Sequence, residues 1–212
     1  MFTISVMKSA VRLGQKLPPL PGSPVGQGRR NFWRMLAVVF NRPDRERIKE
    51  VGADRACAEW LMRCGAHVRW KGSEKWEKEY NTLPPVGTSR SYKIEEINAV
   101  DAELMEIGFE HFEHVKELQK VRLHHCAYLE DAAIERLVLL KDSLRHLEIS
   151  SCGDVTDDGL LSLGQLTLLQ SLLLYDLPGI RDRQRCYKAL RRDLPDCTIV
   201  YKDIEAPDKS GG

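Results

Sequence analysis

Between residues 120 and 200 the apolar positions form a repeated figure. "VRLHHCAYLEDAAIERL", "LEISSCGDVTDDGLLSL" and "LLLYDLPGIRDRQRCYKAL" each open with strand-like alternation and close with helix-like spacing. Leu123 lies 26 residues before Ile149, and Ile149 lies 25 before Leu174. Cys126, Cys152 and Leu177 keep that phase, as do Asp131 and Asp157. A step of 26 back from Leu123 and Cys126 reaches Ile97 and Val100, and a step forward from Leu174 reaches the neighbourhood of Ile199. One short strand and one helix cannot bury their apolar faces alone, so such units are expected to stack.

Residues 31–80 carry a different, helical pattern. "NFWRMLAVVF" reads as an aromatic-led apolar helix. "RPDRERIKEVG" reads as a second helix, with Pro43 at its start and Gly52 as its stop. "ADRACAEWLMRCG" is a third, with apolar Cys57, Trp60, Leu61 and Cys64 on one face and Gly65 at the C-cap. "AHVRW" alternates as a short strand, and "SEKWEKEYNTL" reads as a further helix capped by Ser73. "PPVGTSRS" then breaks the chain. The later units have the form L-x-L-x-x-C, turn, helix, and resemble the cysteine-containing leucine-rich repeat. The expected fold class is α/β: a short leucine-rich-repeat arc of 25–26-residue units with a helical N-terminal capping module. The expected divisions are a leader and Pro/Gly linker at 1–30, the helical module at 31–88, repeats at 89–202 and a polar tail at 203–212.

Net charge is only +1, but it is unevenly placed. No acid precedes Asp44, while that stretch holds seven bases. The remainder nets −6, which argues against general nucleic-acid binding, because that needs a clustered basic face. The acid-free leader "MFTISVMKSAVRLGQKL" fits a mitochondrial transit peptide. The longest apolar run, "MLAVVF", is far short of the ~20 residues a membrane-spanning helix needs. None of the six cysteines forms a C-x-x-C pair, so buried reduced thiols are expected.

The candidate chemistry is thin. Cys126 and Cys152 recur at one phase, as apolar slots where each strand turns inward. Thr156 and Asp157 are expected to cap the helix that begins near Asp158. All six histidines are read as non-catalytic, including the "HHC" run in which His124 faces outward and Cys126 inward. No phosphate-binding loop, dinucleotide fingerprint, H-E-x-x-H or nucleophile elbow occurs. The expected outward strand positions are Glu96, Asn98, Arg122, His124, Glu148, Ser150, Leu173 and Tyr175. Their mixed chemistry suits protein binding rather than catalysis.

"FWRMLAVVFNRPDRERIKEVGADRACAEWLMRCGAHVRWKG" resembles the family of mitochondrial ATP synthase subunit s, also called coupling factor B. "YKIEEINAVDA", "MEIGF", "VRLHHCAYLED", "EISSCGDVTDDG" and "LLLYDLPGIR" continue the resemblance to about Pro195. It implies a non-enzymatic accessory factor on the matrix side of the inner membrane, associated with the membrane sector of ATP synthase and with coupling of proton flow to synthesis. Phe32 and Trp33, with the outward strand positions, are then candidate partner contacts. The resemblance also implies magnesium held by backbone carbonyls at positions matching Gly65 and Glu103, where water would complete the octahedron. The family's C-x-C reads "HHC" here, His124 replacing one cysteine. The chain is also similar to an assembly factor for the distal membrane arm of respiratory complex I. A third reading, a ubiquitin-ligase substrate adaptor, would share the repeats but calls for an F-box-like module and no targeting peptide.

Overall fold

A computed structural model describes Met35 and residues 37–202 of this chain. The leader and linker at 1–30, the candidate contacts Phe32 and Trp33, and the tail at 203–212 lie outside the described residues.

Asp44 starts α1 (Arg45–Val51) by accepting from the Arg47 amide, which satisfies a helix-end donor. Gly52, at φ 86°, ends α1 and leads directly into α2 (Ala53–Arg63). That second helix is buried along most of its length, with Cys57, Trp60 and Leu61 at 0% exposure. It closes through Gly65 at φ 100°, a left-handed conformation that glycine adopts without Cβ strain. The chain then enters β1 (His67–Trp70).

The expected helix over "SEKWEKEYNTL" is not formed. Trp76–Glu77 is a strand, β2, paired antiparallel with β1 through Val68↔Glu77 and Arg69↔Trp76, and Tyr80–Thr82 is a single 3₁₀ turn. Ser73 caps no helix there; its hydroxyl accepts from the Lys75 amide. The segment carries little apolar surface to bury as a helix, and the Lys71–Gly72 turn returns it to the edge of β1, where pairing overrides local propensity.

β3 (Ile94–Val100), β4 (Lys120–His124), β5 (His146–Ser150), β6 (Ser171–Tyr175) and β7 (Thr198–Tyr201) run parallel, and the sheet order is β2-β1-β3-β4-β5-β6-β7. β1 pairs with β3 antiparallel. Helical segments follow the middle strands: α3 (Asp131–Glu135), α4 (Asp157–Ser162) and α5 (Arg183–Asp193). Alternate strand residues, such as Leu123, Ile149 and Leu174, join the helices' apolar residues in one buried cluster. The intervening residues form the opposite face.

The ladder corrects the register expected at both ends. Leu123 pairs with Ala99 rather than Ile97, and Leu174 pairs with Tyr201 rather than Ile199. The slot equivalent to Cys126 is therefore Ala102, not Val100, and Ala102 is 1% exposed. The middle spacings hold, with Leu123↔Ile149 and Ile149↔Leu174. Each inward slot follows a non-glycine residue in the left-handed region: Asp101, His125, Ser151 and Asp176, at φ 51–53°.

Candidate functional site: the outer face of the sheet

Parallel pairing places the outward side chains in rows across neighbouring strands. One row is Asn98, Arg122, Glu148, Leu173 and Val200; the next is Val100, His124, Ser150 and Tyr175. The structure thus brings together Arg122, His124, Glu148, Leu173 and Tyr175, five of the seven candidate partner contacts. Phe32 and Trp33 remain outside the described residues.

Glu148 is the hub of this face. Its Oε1 accepts from Arg122 Nε at 2.9 Å, from the Tyr175 hydroxyl at 3.2 Å and from the Ser150 hydroxyl at 3.4 Å. His124 Nδ1 lies 2.8 Å from Ser150 Oγ, and Lys202 stands over the Tyr175 ring at 4.7 Å. The hydrogen bond to Glu148 raises the pKa of the Arg122 guanidinium, so Arg122 stays charged. Toward β3, Arg69 bridges Glu95 and Glu96 at 2.8 Å each, and Arg69 holds the Glu96 carboxyl below the usual carboxylate range. Toward β7 the surface turns apolar, with half-buried Leu173 beside Val200, which is 45% exposed.

A histidine next to a serine invites a catalytic reading. Ser150, however, has 0% exposure, and its hydroxyl is committed to Glu148. A reacting group could not reach it without dismantling the network. What the face can do chemically is recognise: a charged half beside an apolar half, pre-ordered by internal hydrogen bonds.

The second candidate position is the corner after α2. The Glu103 amide donates to the Cys64 carbonyl at 2.8 Å, which brings the loop at Glu103 beside Gly65. The Glu103 carbonyl already accepts from Asn41 Nδ2 at 2.8 Å, and a carbonyl oxygen retains a second lone pair. Burial pushes the Glu103 carboxyl up. Among the described residues no three His, Cys, Asp or Glu side chains converge as a metal site. Backbone carbonyls at a helix C-terminus are the donors this corner offers.

The expected helix cap at Thr156 and Asp157 works differently. α4 begins at Asp157, and Thr156 makes no capping bond with its side chain. Instead the Thr156 hydroxyl and amide both donate to Asp131, at 2.5 and 2.7 Å. Asp157 in turn accepts from the Arg181 amide at 2.8 Å. These aspartates tie each unit to the next rather than closing their own helices. Cys126 and Cys152 are buried at 1% and 0%, as their phase suggested, and the Cys126 thiol is pushed up by the adjacent Cys152 sulfur and by burial.

Several structural hubs escaped the sequence reading. Asn41, 0% exposed, donates to the carbonyls of Ala37 and Glu103 and accepts from Trp60 Nε1 and the Met105 amide. Its signal was a lone amide ending an apolar run. Glu59 is buried among Arg47 and Arg55. The left-handed row was marked by Asp, His, Ser and Asp immediately before each slot, of which Asp and His are enriched at positive φ.

No protein-family model matches the chain. Two mitochondrial proteins named ATP synthase subunit s, from Bos taurus and Homo sapiens, are each 43% identical to it over 187 residues. Each alignment covers 87% of this chain and 93% of the relative. A protein named distal membrane arm assembly component 2, from Drosophila melanogaster, is 24% identical over 163 residues, which is 74% of this chain and 57% of that protein.

Proposed function

Because the chain belongs to the mitochondrial ATP synthase subunit s family, we propose that it is a non-enzymatic accessory factor of mitochondrial ATP synthase. The observation that carries this reading is 43% identity across 93% of the bovine and human relatives. In this reading the five parallel strands are an arc of leucine-rich repeats, and α1, α2 and β1 form its N-terminal capping module. The protein works by docking on the matrix side of the inner membrane and supports the coupling of proton flow through the membrane sector to ATP synthesis. Residues 1–30 serve as the transit peptide and linker that deliver it.

The outer sheet face supports a docking mechanism. Its charged groups are paired internally, so binding would lose little side-chain entropy, and its apolar end offers surface to bury. Phe32 and Trp33 supply a second contact, next to a helical stretch on which Val39 is 61% exposed. A magnesium ion would take the Gly65 and Glu103 carbonyls with water, and would stiffen the corner between α2 and the sheet.

Depleting the chain from mitochondria should lower coupled ATP synthesis and leave complex I activity intact. Restoration by the wild-type chain, with failure of Glu148→Arg, would support docking through the sheet face. Unchanged coupling after depletion, or a deficit confined to complex I, would contradict the proposal.

A further inference from the structure

The charge of the folded body is polarised. The segment from Arg181 to Asp193, which is α5 and its N-terminal lead, nets +4, whereas the other residues from 44 to 202 net −8. Arg185, Lys188 and Arg192 are spaced 3 and 4 apart and share one exposed side of the helix, with Arg181 just before it. Among the described residues Arg181, Arg185 and Lys188 form no salt bridge. The inward side of α5 is fixed in the core by Cys186 and Leu190, both 0% exposed. The basic side is therefore held outward, on the helix side of the sheet and away from Glu148 and Tyr175.

We propose that this basic side of α5 is a contact surface for an anionic phospholipid bilayer. Two features favour a bilayer over an acidic peptide. The shallow groove beside α5 is lined by Arg185, Lys188 and Arg192 but also by Asp182 and Asp193, which would repel carboxylates seated inside it. The side chains of Arg181 and Arg191 lie outside that groove, so the full basic set is reached only by an extended surface. No described helix is long and apolar enough to cross a membrane, so contact by this face would be peripheral. Repulsion of the acidic remainder would turn α5 toward the lipid and leave the sheet face free for a protein partner.

The test is flotation of the full chain with vesicles of phosphatidylcholine alone and of phosphatidylcholine mixed with phosphatidylglycerol. Binding is expected only to the mixed vesicles and should be lost as salt rises. Arg185→Gln with Lys188→Gln should weaken it on the order of 30-fold, since each base near an anionic surface counts for about fivefold. Lys78→Gln, an exposed change far along the sequence, should not weaken it, and unchanged thermal unfolding of the variants would exclude misfolding. Equal binding to both vesicles, no binding to the mixed vesicles at low salt, or unaltered binding of the double variant would overturn the proposal. Binding to polyglutamate with mixed vesicles left unbound would also overturn it and assign the face to an acidic protein. None of these outcomes depends on ATP synthase, so they are independent of the docking proposal for the sheet face.

Discussion

Two glutamates show how differently the two regions of this molecule use charge. Glu59, in α2, is 3% exposed and meets Arg47 and Arg55, each at 2.8 Å. Glu148, on the sheet face, meets Arg122 at 2.9 Å, but that arginine side chain is 39% exposed. The first arrangement occurs once among the described residues and locks α1 to α2. The second recurs in kind along the strands, where rows of polar side chains pair with their neighbours in register. The N-terminal region thus gains its specificity from single buried polar contacts, and the parallel region from repetition of an apolar ladder.

Breaking the buried set should cost most. Glu59→Ala leaves Arg55 buried without its carboxylate and should destabilise the chain by about 3–5 kcal/mol in denaturant unfolding. A loss below about 1 kcal/mol would erase the contrast with Glu148. Burial alone would raise the Glu59 carboxyl, and the hydrogen bonds from Arg47 and Arg55 hold it below the usual range.

The next largest effect concerns His111, 4% exposed and stacked on Trp60 at 5.1 Å between ring centroids. Burial, with Arg63 nearby, lowers its pKa from 6.5 to about 4, against a small opposing effect of Asp44. The unfolded chain therefore takes up a proton first as pH falls. Stability conferred by the neutral ring is complete above pH 6.5 and is lost toward pH 4, by about 3 kcal/mol. His111→Phe should flatten that part of the stability profile; an unchanged slope would show that His111 is not the group responsible.

Gly108→Ala should follow. A Cβ there would lie 2.6 Å from Asn41 Oδ1 and from the Trp60 ring, both buried, at a cost of about 1–3 kcal/mol in thermal unfolding. On the sheet face, Glu148→Ala should cost about 1 kcal/mol or less, because its partner is open to solvent. A cost there equal to that at Glu59 would mean that the face is structural rather than available for binding.

The same division explains what could be read from the sequence. The period of 25–26, the inward cysteines and the outward Arg122, His124, Glu148, Leu173 and Tyr175 were all legible, because repetition confirms each position against the next. The register at the ends was not: the first spacing is 24 and the last is 27, so extrapolation slipped by two residues. Ser150 has the outward phase but is covered by its neighbours, which periodicity cannot show. In the N-terminal region, α1 and α2 followed from the stops at Gly52 and Gly65 and from apolar spacing, although Asp44 rather than Pro43 starts α1. Asn41, Glu59 and His111 did not, because each meets partners chosen by tertiary packing, as when Asn41 reaches Glu103 across 62 residues of sequence. β2 was hidden for the same reason, since its pairing with β1 outweighs its helical spacing.

The proposed docking of the sheet face on ATP synthase can be probed by site-specific crosslinking in intact mitochondria. A photoreactive residue in place of Leu173 lies between the Arg122–Glu148 pair and the exposed Val200. The expected result is capture of a subunit of the ATP synthase membrane sector. Capture of complex I membrane-arm subunits alone, or capture of ATP synthase unaltered by Glu148→Arg, would contradict it.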